Sequence, residues 1–134
     1  AEFAHEIFGL IEPLYMENKY KLLTEVNRTF IEHICKYLWI ETEIVDSSSL
    51  MAAPGKTERL ISYCKQLDGR EYVSGPSARN YIDESLFELS GIKLRYYEYP
   101  PYKEYRQLSA RKNYNVSVLD LLFNCGPSSK DFLE

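Results

Sequence analysis

The stretch EYVSGPSARNYIDESLF, residues 71–87, decides the fold of this 134-residue chain. Its first residues read as a β-strand, and the small residues of SGPSA then turn the chain into a helical segment. The same order recurs on both sides, because TEIVDSSS (42–49) precedes another helical segment and IKLRYYEY (92–99) alternates as a half-buried strand does. Strands separated by helices pair in parallel through right-handed crossovers. We therefore predict an α/β fold with a small, mainly parallel three-stranded sheet and crossover helices.

Two helices are predicted before the first of these strands. Apolar residues at helical spacing run through residues 2–16, where Pro13 is expected to kink or end the helix. Residues 20–39 carry the strongest helical pattern, an apolar stripe opposed by charged side chains. The length of the chain favours a single α/β domain over residues 1–134.

Capping signals mark the ends of the later helices. We expect Asp83 to cap one helix and Gly91 to end it, and Gly69 to take the left-handed position after the helix before them. Ser117 and Asp120 stand at the spacing of a capping box. Capping explains this Ser–Asp pair more simply than a nucleophile and its base.

Composition and charge exclude several classes of function. The hydrophobic fraction of 45% and the charged fraction of 27% are typical of a soluble globular protein. A net charge of −4 argues against a nucleic-acid partner, which requires a basic surface. We find no apolar run near the ~18 residues of a membrane span and no signal peptide. The cysteines and histidines lack metal-ligand spacing, so we predict no metal site and reduced thiols in the cytoplasm (Cys35, Cys64, Cys125, His5, His33).

The sequence GKT at 55–57 resembles the end of a phosphate-binding P-loop. The full motif needs a glycine five positions before its second glycine, and the chain has Leu50 there. A weaker anion site remains open, because the backbone N–H groups at a helix start favour negative charge. Its candidate residues are Ser47, Ser48 and Lys56. The alternative is an ordinary charged helix surface.

The turn SGPSARN at 74–80 occupies the equivalent place after the next strand. Gly75 permits a positive φ or a close backbone approach, and Ser74 and Ser77 supply hydroxyl groups. Arg79 adds a forked donor for a carboxylate or phosphate. Ligands of parallel sheets gather beyond the carboxyl ends of the strands, so we expect this turn and the serine-rich loop to lie at one sheet edge. The alternative is a simple strand-to-helix corner.

Tyrosine is unusually frequent, with twelve residues, several of them within 96–105. Tyrosine rings pack equally well on sugars, on partner proteins and between helices. Tyr97 and Tyr105 are the candidates from this segment for contact with a ligand. The same segment is also a candidate surface for a partner protein or a second copy of the chain.

Three stretches together resemble the WbqC-like protein family: residues 72–92, YRQ at 105–107 and SVLDLLFNCG at 117–126. Full-length members open with a further segment of the type H/M-Q-P-x-Y that is not present here. We therefore expect the chain to correspond to the C-terminal part of a longer member. The family pattern falls on a spaced set of residues (Tyr72, Ser74, Gly75, Tyr81, Asp83, Phe87, Gly91, Tyr105, Gln107, Ser117, Asp120, Asn124, Gly126).

The resemblance implies a bacterial cytoplasmic protein that acts in surface polysaccharide or O-antigen biosynthesis. One hypothesis is a transferase-like role on a nucleotide-activated sugar or a related anionic metabolite, held by the two small-residue loops with tyrosines facing the sugar. The alternative is a non-catalytic protein-interaction module that uses the tyrosine-rich surface 96–105, including pairing into a homo-oligomer. The motifs imply no particular cofactor.

Overall fold

The computed structural model describes residues 1–16, 20–109 and 112–133. The chain divides into two compact units. The first, the helical unit, joins Ala1–Thr42 to Pro101–Glu134, and the second, the mixed unit, is Glu43–Pro100. No helix of the described ranges is long and apolar enough to cross a membrane.

The described residues contain five α-helices, two β-strands and three short 3-10 segments. The helices are α1 (Ala4–Met16), α2 (Leu23–Tyr37), α3 (Lys56–Gln66), α4 (Glu84–Ser90) and α5 (Val118–Cys125). The strands are β1 (Glu71–Ser74) and β2 (Lys93–Tyr96), and the 3-10 segments are Ser47–Ser49, Pro76–Asn80 and Gly126–Phe132. The α/β class that the sequence predicts is therefore observed.

The sheet has two parallel strands in the described part of the chain, where the sequence predicts three. β1 and β2 pair in parallel from Glu71 opposite Lys93 to Ser74 opposite Tyr96, and α4 makes the crossover between them. The expected strand within 42–49 is not seen. Its last residues turn instead, because the Asp46 carboxylate accepts a hydrogen bond from the Ser48 N–H at 2.8 Å. Such local side-chain bonding competes with strand pairing.

The mixed unit is built around the stretch that decides the fold. Its buried core is Ala78, Ile82, Phe87 and Ile92, all contributed by that stretch and the residues just after it. Phe87 is 1% exposed, and its ring stacks on Tyr72 of β1 with centroids 5.4 Å apart. The turn and α4 are thus fixed against the strand by apolar burial.

The helical unit has a separate core made from both ends of the chain. Ile7 and Ile11 of α1 pack with Leu38, which follows α2, and with Leu122 of α5. α1 therefore depends on α5 for the cover of its buried face.

α1 continues through Pro13 to Met16, so the expectation that Pro13 ends the helix is wrong. The missing N–H of Pro13 lies in the last turn, so few hydrogen bonds are affected. Leu14, which is buried, holds that turn against the rest of the unit.

The left-handed position after α3 is taken by Asp68, with φ 53°, and not by Gly69. The Gly69 N–H donates back to the Cys64 carbonyl at 2.7 Å, which completes a Schellman motif. α2 ends in the same way, with Trp39 at φ 58° and the Ile40 N–H bonded back to the last turn. The end of each helix is predictable from the sequence, but which residue takes the left-handed position is not.

Two expectations about caps are confirmed, and a positive φ at Gly75 is not observed. The Asp83 carboxylate accepts from the Ser85 N–H at 3.0 Å at the start of α4, and Gly91 ends that helix with φ 73°. Gly75 has φ −69°, which any residue adopts, and a Cβ there would meet no atom within 4 Å. Neither backbone conformation nor packing therefore requires glycine at position 75.

Candidate functional site

Asp120, in the first turn of α5, is the centre of a hydrogen-bonded network. Its Oδ2 accepts from the Tyr105 hydroxyl at 2.7 Å and from Gln107 Nε2 at 2.8 Å. Gln107 also binds the backbone of Asn113 twice, because Nε2 donates to the Asn113 carbonyl at 2.6 Å and Oε1 accepts from the Asn113 N–H at 3.0 Å. We call Tyr105, Gln107, Asn113 and Asp120, with Asn124, the Asp120 network.

The sequence around α5 explains why Asp120 is available for this network. The Ser117 hydroxyl accepts from the Leu119 N–H at 3.3 Å, so the predicted cap is present. The Asp120 side chain contacts the loop residues instead of closing the predicted capping box, and that interpretation of Asp120 is wrong. One turn later, Asn124 Nδ2 donates to the Asp120 carbonyl at 2.7 Å. Ser117 alone caps the helix.

Tyr105 is held in its protonated form by its surroundings. Its half-buried ring packs edge-on against Tyr114 and Phe132, with centroids 5.1 and 5.8 Å away. Burial, and then the hydrogen bond to the Asp120 carboxylate, raises the pKa of Tyr105 to about 12, against the opposing effect of the Gln107 amide. At neutral pH the phenol therefore acts as a donor to Asp120 and is not a base.

Cys125, the last residue of α5, lies in an environment that favours the thiol over the thiolate. Burial raises its pKa, and the negative charges of Asp120 and Glu2 raise it further. Because the thiolate is the nucleophilic form, this environment disfavours nucleophilic chemistry at Cys125. Within the described ranges, no group of three or more His, Cys, Asp or Glu side chains could hold a metal ion.

The Asp120 network forms one wall of an open cleft of about 610 Å³, which we call the Asp120 cleft. Its apolar lining includes Phe8 and Phe123, whose rings meet edge-on with centroids 5.2 Å apart. Asp120 and Asn124 contribute polar atoms to the same lining. Among the described residues, Oδ1 of Asp120 and Oδ1 of Asn124 receive no hydrogen bond. The cleft thus combines an aromatic surface with unused acceptors.

The serine-rich loop and the start of α4 contact opposite ends of α3. Met51, just after Ser47 and Ser48, exchanges hydrogen bonds of 2.9 Å with the side chain of Gln66 in the last turn of α3. At the other end, the buried Thr57 hydroxyl accepts from the Asp83 N–H at 3.0 Å. An eleven-residue helix is about 16 Å long. Lys56, next to Thr57, therefore belongs to the end that contacts the start of α4.

The residues of the turn are placed at the carboxyl end of β1, as expected. The Ser74 carbonyl accepts from the Tyr97 N–H at 2.7 Å, and Ser77 is exposed. The Arg79 guanidinium lies over the Tyr96 ring, 4.1 Å from its centroid, and the Tyr96 hydroxyl donates to Glu84 at 2.9 Å. Arg79 is exposed and supported by an aromatic ring, an arrangement that leaves its edge available.

The two candidate tyrosines belong to different units. Tyr97 lies in the mixed unit, 40% exposed, with its ring edge-on to that of Tyr99 at a centroid distance of 5.0 Å. Tyr105 lies in the helical unit and is part of the Asp120 network. The other predicted ligand residues all lie in the mixed unit (Ser47, Ser48, Lys56, Ser74, Gly75, Ser77, Arg79).

Gln107, Asp120 and Asn124 are site residues that the pattern of capping signals did not reveal. The signal that could have identified them is their place in the two motif stretches at 105–107 and 117–126, which the fold brings into contact. Helix capping does not account for all the polar residues of these two stretches. Polar residues left over in two separate segments indicate that the segments form a shared site.

The described geometry defines an α/β protein with a polar network at the start of α5 as its candidate site. The chain belongs to the WbqC-like protein family, whose sequence model matches residues 1–132. It is similar to an uncharacterised protein of Mycobacterium tuberculosis, with 43% identity over 133 residues, 99% of this chain and 57% of that protein. The chain therefore spans little more than half the length of this curated relative. No solved structure matches the chain.

Proposed function

We propose that this WbqC-like chain binds the sugar of a nucleotide-activated sugar in the Asp120 cleft. The proposal includes a transferase-like role in surface polysaccharide or O-antigen biosynthesis, in the bacterial cytoplasm. The observation that carries it is the Asp120 network, in which Tyr105 and Gln107 bind one carboxylate oxygen of a residue that lines the cleft.

The chemistry of the cleft suits a sugar ring. Sugar hydroxyl groups are hydrogen-bond donors, and the unused oxygens of Asp120 and Asn124 are acceptors. The apolar face of a sugar ring packs on aromatic side chains such as Phe8 and Phe123. Because Tyr105 and Gln107 hold the carboxylate in place, little conformational entropy is lost when a ligand binds.

The mixed unit holds a candidate anion site of its own. Ser74, Ser77 and Arg79 offer two hydroxyl groups and a guanidinium at the carboxyl end of β1. Lys56, at the end of α3 that contacts Asp83, is a further candidate for the same anion. Gly75 leaves the backbone open to a close approach, since no atom lies within 4 Å of its absent Cβ. We propose a phosphate contact at this turn.

An NMR titration of the full chain with UDP-glucose and dTDP-glucose tests the sugar site. We expect shift changes at α5 and at Tyr105, and a loss of affinity of about tenfold or more in Asp120→Asn, because one charge-assisted hydrogen bond is removed. Asp83→Asn is the matched control, since asparagine also caps a helix and Asp83 lies in the mixed unit. Equal affinity in both variants would refute the sugar site.

A second function is favoured by the exposed aromatic pair Tyr97 and Tyr99, the latter 64% exposed. Exposed tyrosines at the centre of a patch are typical of protein interfaces. In this alternative the chain is a non-catalytic interaction module that pairs with a second copy through the 96–105 segment. Sedimentation at increasing concentration tests it: Tyr99→Ala should abolish association, whereas Tyr81→Ala, at another exposed tyrosine, should not.

A further inference from the structure

The mixed unit contains an open cleft of its own, about 660 Å³ in volume, lined by the 74–80 turn, α4 and β2. We propose that this cleft binds a free α-amino acid, with the carboxylate of the ligand on Arg79 and its ammonium group on Glu84. The inference goes beyond the proposed function, in which neither the sugar nor the phosphate requires a ligand that carries both charges. It is carried by two opposite charges that contact one tyrosine ring on the same cleft.

We call this the Arg79 cleft. Its charged and phenolic lining comes from the turn (Arg79), from α4 (Glu84, Glu88) and from β2 (Lys93, Arg95, Tyr96). Two of these cations already have an anionic partner, because Glu71 of β1 binds Lys93 at 3.2 Å and Arg95 at 3.1 Å. The ion pairs of the described residues include none made by Arg79, Glu84 or Glu88. One guanidinium and two carboxylates of the cleft therefore remain for a ligand.

Tyr96 limits the distance between Arg79 and Glu84. The Arg79 Cζ lies 4.1 Å from the centroid of the Tyr96 ring, and the Tyr96 hydroxyl donates to Glu84 Oε1 at 2.9 Å. Since the oxygen of a tyrosine lies about 3 Å from the centroid of its own ring, Cζ and Oε1 are at most about 10 Å apart. Burial and then the Glu84 carboxylate raise the pKa of Tyr96, and the positive charge of Arg79 opposes this rise. Both charges thus act on one half-buried phenol.

An α-amino acid matches this separation and this pair of charges. Its carboxylate and ammonium groups are attached to one carbon, and with a hydrogen bond at each end it spans up to about 9 Å, nearly all of that range. A guanidinium binds a carboxylate through two parallel N–H bonds. An ammonium group supplies three donors and no acceptor, as a carboxylate partner such as Glu84 requires. Glu88, one helical turn further along α4, adds negative charge on the same side.

A ligand with a single charge suits only half of the Arg79 cleft. An anion bound to Arg79 is repelled by the two carboxylates of α4, and a cation bound to Glu84 is repelled by the guanidinium. A zwitterion avoids both repulsions, so the cleft selects against ligands that carry only one of the two groups. Arg79 is also a candidate for the proposed phosphate contact, and an amino acid and a phosphate would therefore compete for it.

The test compares three matched ligands on the full chain by NMR at slightly acidic pH: L-alanine, L-alaninamide and N-acetyl-L-alanine. L-Alaninamide lacks the carboxylate, and N-acetyl-L-alanine lacks the ammonium group. We expect L-alanine to shift resonances of α4 and β2 and to bind about fivefold tighter than either, since each analogue loses one contact between charges in a partly exposed site. Inorganic phosphate, added as a fourth ligand, should bind there more weakly than L-alanine.

Variants assign each half of the ligand to its residue. Arg79→Gln should make L-alanine and L-alaninamide bind alike. Glu84→Gln, which keeps an acceptor for the Tyr96 hydroxyl, should make L-alanine and N-acetyl-L-alanine bind alike. Arg95→Gln is the matched control, because Arg95 lines the same cleft but is paired with Glu71, and the preference for L-alanine should persist.

Equal binding of the three alanine ligands, or no shift changes at α4 and β2, would overturn the amino-acid site. Tightest binding by inorganic phosphate would also overturn it, while supporting the phosphate contact of the proposed function. The sugar site is measured independently, from the shifts that UDP-glucose causes at α5, so either proposal can fail without the other. The comparison of ligands on the unchanged chain decides the question even if a variant fails to fold.

Discussion

Tyr105 shows how one hydrogen bond links the candidate site to stability. The pKa of its phenol is raised from 10.0 to about 12 by burial and by Asp120. The folded state therefore holds this proton more tightly than the unfolded state does. Its contribution to stability is fully present below pH 10 and is lost as the pH rises toward 12.

Tyr105→Phe should remove this pH dependence. Near neutral pH we expect the variant to be less stable by about 1 kcal/mol, the usual net value of one hydrogen bond. The difference between the native chain and the variant should shrink at about pH 11, which denaturant unfolding at both pH values measures. Tyr97→Phe is the control, because the Tyr97 hydroxyl has no partner among the described residues. A difference that is independent of pH would contradict the assignment.

Gly126 and Gly75 are expected to respond in opposite ways to alanine. Gly126 has φ 52° and ψ −131°, and a Cβ there would overlap the ring of Phe3. Gly126→Ala should therefore cost about 2 kcal/mol or more of the free energy of unfolding. Gly75→Ala meets open space at an allowed φ and should be neutral or stabilising by about 0.5 kcal/mol.

Denaturant unfolding of the two glycine variants measures both effects. Similar losses of unfolding free energy in Gly126→Ala and Gly75→Ala would contradict the assignment of a strained backbone to Gly126 and an unstrained one to Gly75. If Gly75→Ala keeps its stability but loses affinity for inorganic phosphate, the proposed phosphate contact at the 74–80 turn gains support.

At the scale of elements, one buried hydroxyl connects α3 to α4. Thr57 is 4% exposed, and its Oγ1 accepts the hydrogen bond of the Asp83 N–H. Thr57→Val keeps the shape but leaves that N–H without a partner, so we expect a loss of about 1–3 kcal/mol. Thr29→Val is the matched control: the Thr29 hydroxyl only supplements a helix carbonyl, that of Glu25, and its loss should cost less than about 0.5 kcal/mol. Thermal unfolding compares the two, and equal costs would refute the role of Thr57.

The parts of the fold that the sequence predicts are those with local signals. The parallel pair β1–β2 and the caps at Asp83, Gly91 and Ser117 follow from alternation and capping residues, which act over a few positions. The predicted strand at 42–49 was wrong because the Asp46 side chain bonds the backbone of the next turn. Apolar alternation alone does not reveal such competition.

The candidate site was less predictable than the fold. The sequence predicts Tyr105 as a ligand residue and Asp120 as a cap, and the spacing of a capping box does not show where the Asp120 carboxylate points. Its partners Tyr105 and Gln107 lie in an irregular loop, whose path is set by tertiary contacts and not by periodicity. Only the three-dimensional structure brings the two motif stretches together.

At the scale of the whole molecule, the two buried cores share no member. Leu122 belongs to the core of the helical unit and Phe87 to that of the mixed unit. Leu122→Ala should cost about 2–5 kcal/mol and accelerate hydrogen exchange mainly in α1, α2 and α5. Phe87→Ala should accelerate hydrogen exchange mainly in the segment from β1 to β2. Hydrogen exchange measured by mass spectrometry distinguishes two separate cores from a single cooperative one. In a single core, either variant would accelerate exchange in both units to the same extent.

The construction of the helical unit from both chain ends has a consequence for synthesis on the ribosome. The mixed unit is complete once residue 100 has emerged, whereas the core around Ile7 and Ile11 is complete only after Leu122 has been translated. We therefore expect the mixed unit to fold co-translationally while part of the apolar surface of α1 and α2 is still exposed. A product that stops before α5 should be the species that chaperones and proteases recognise.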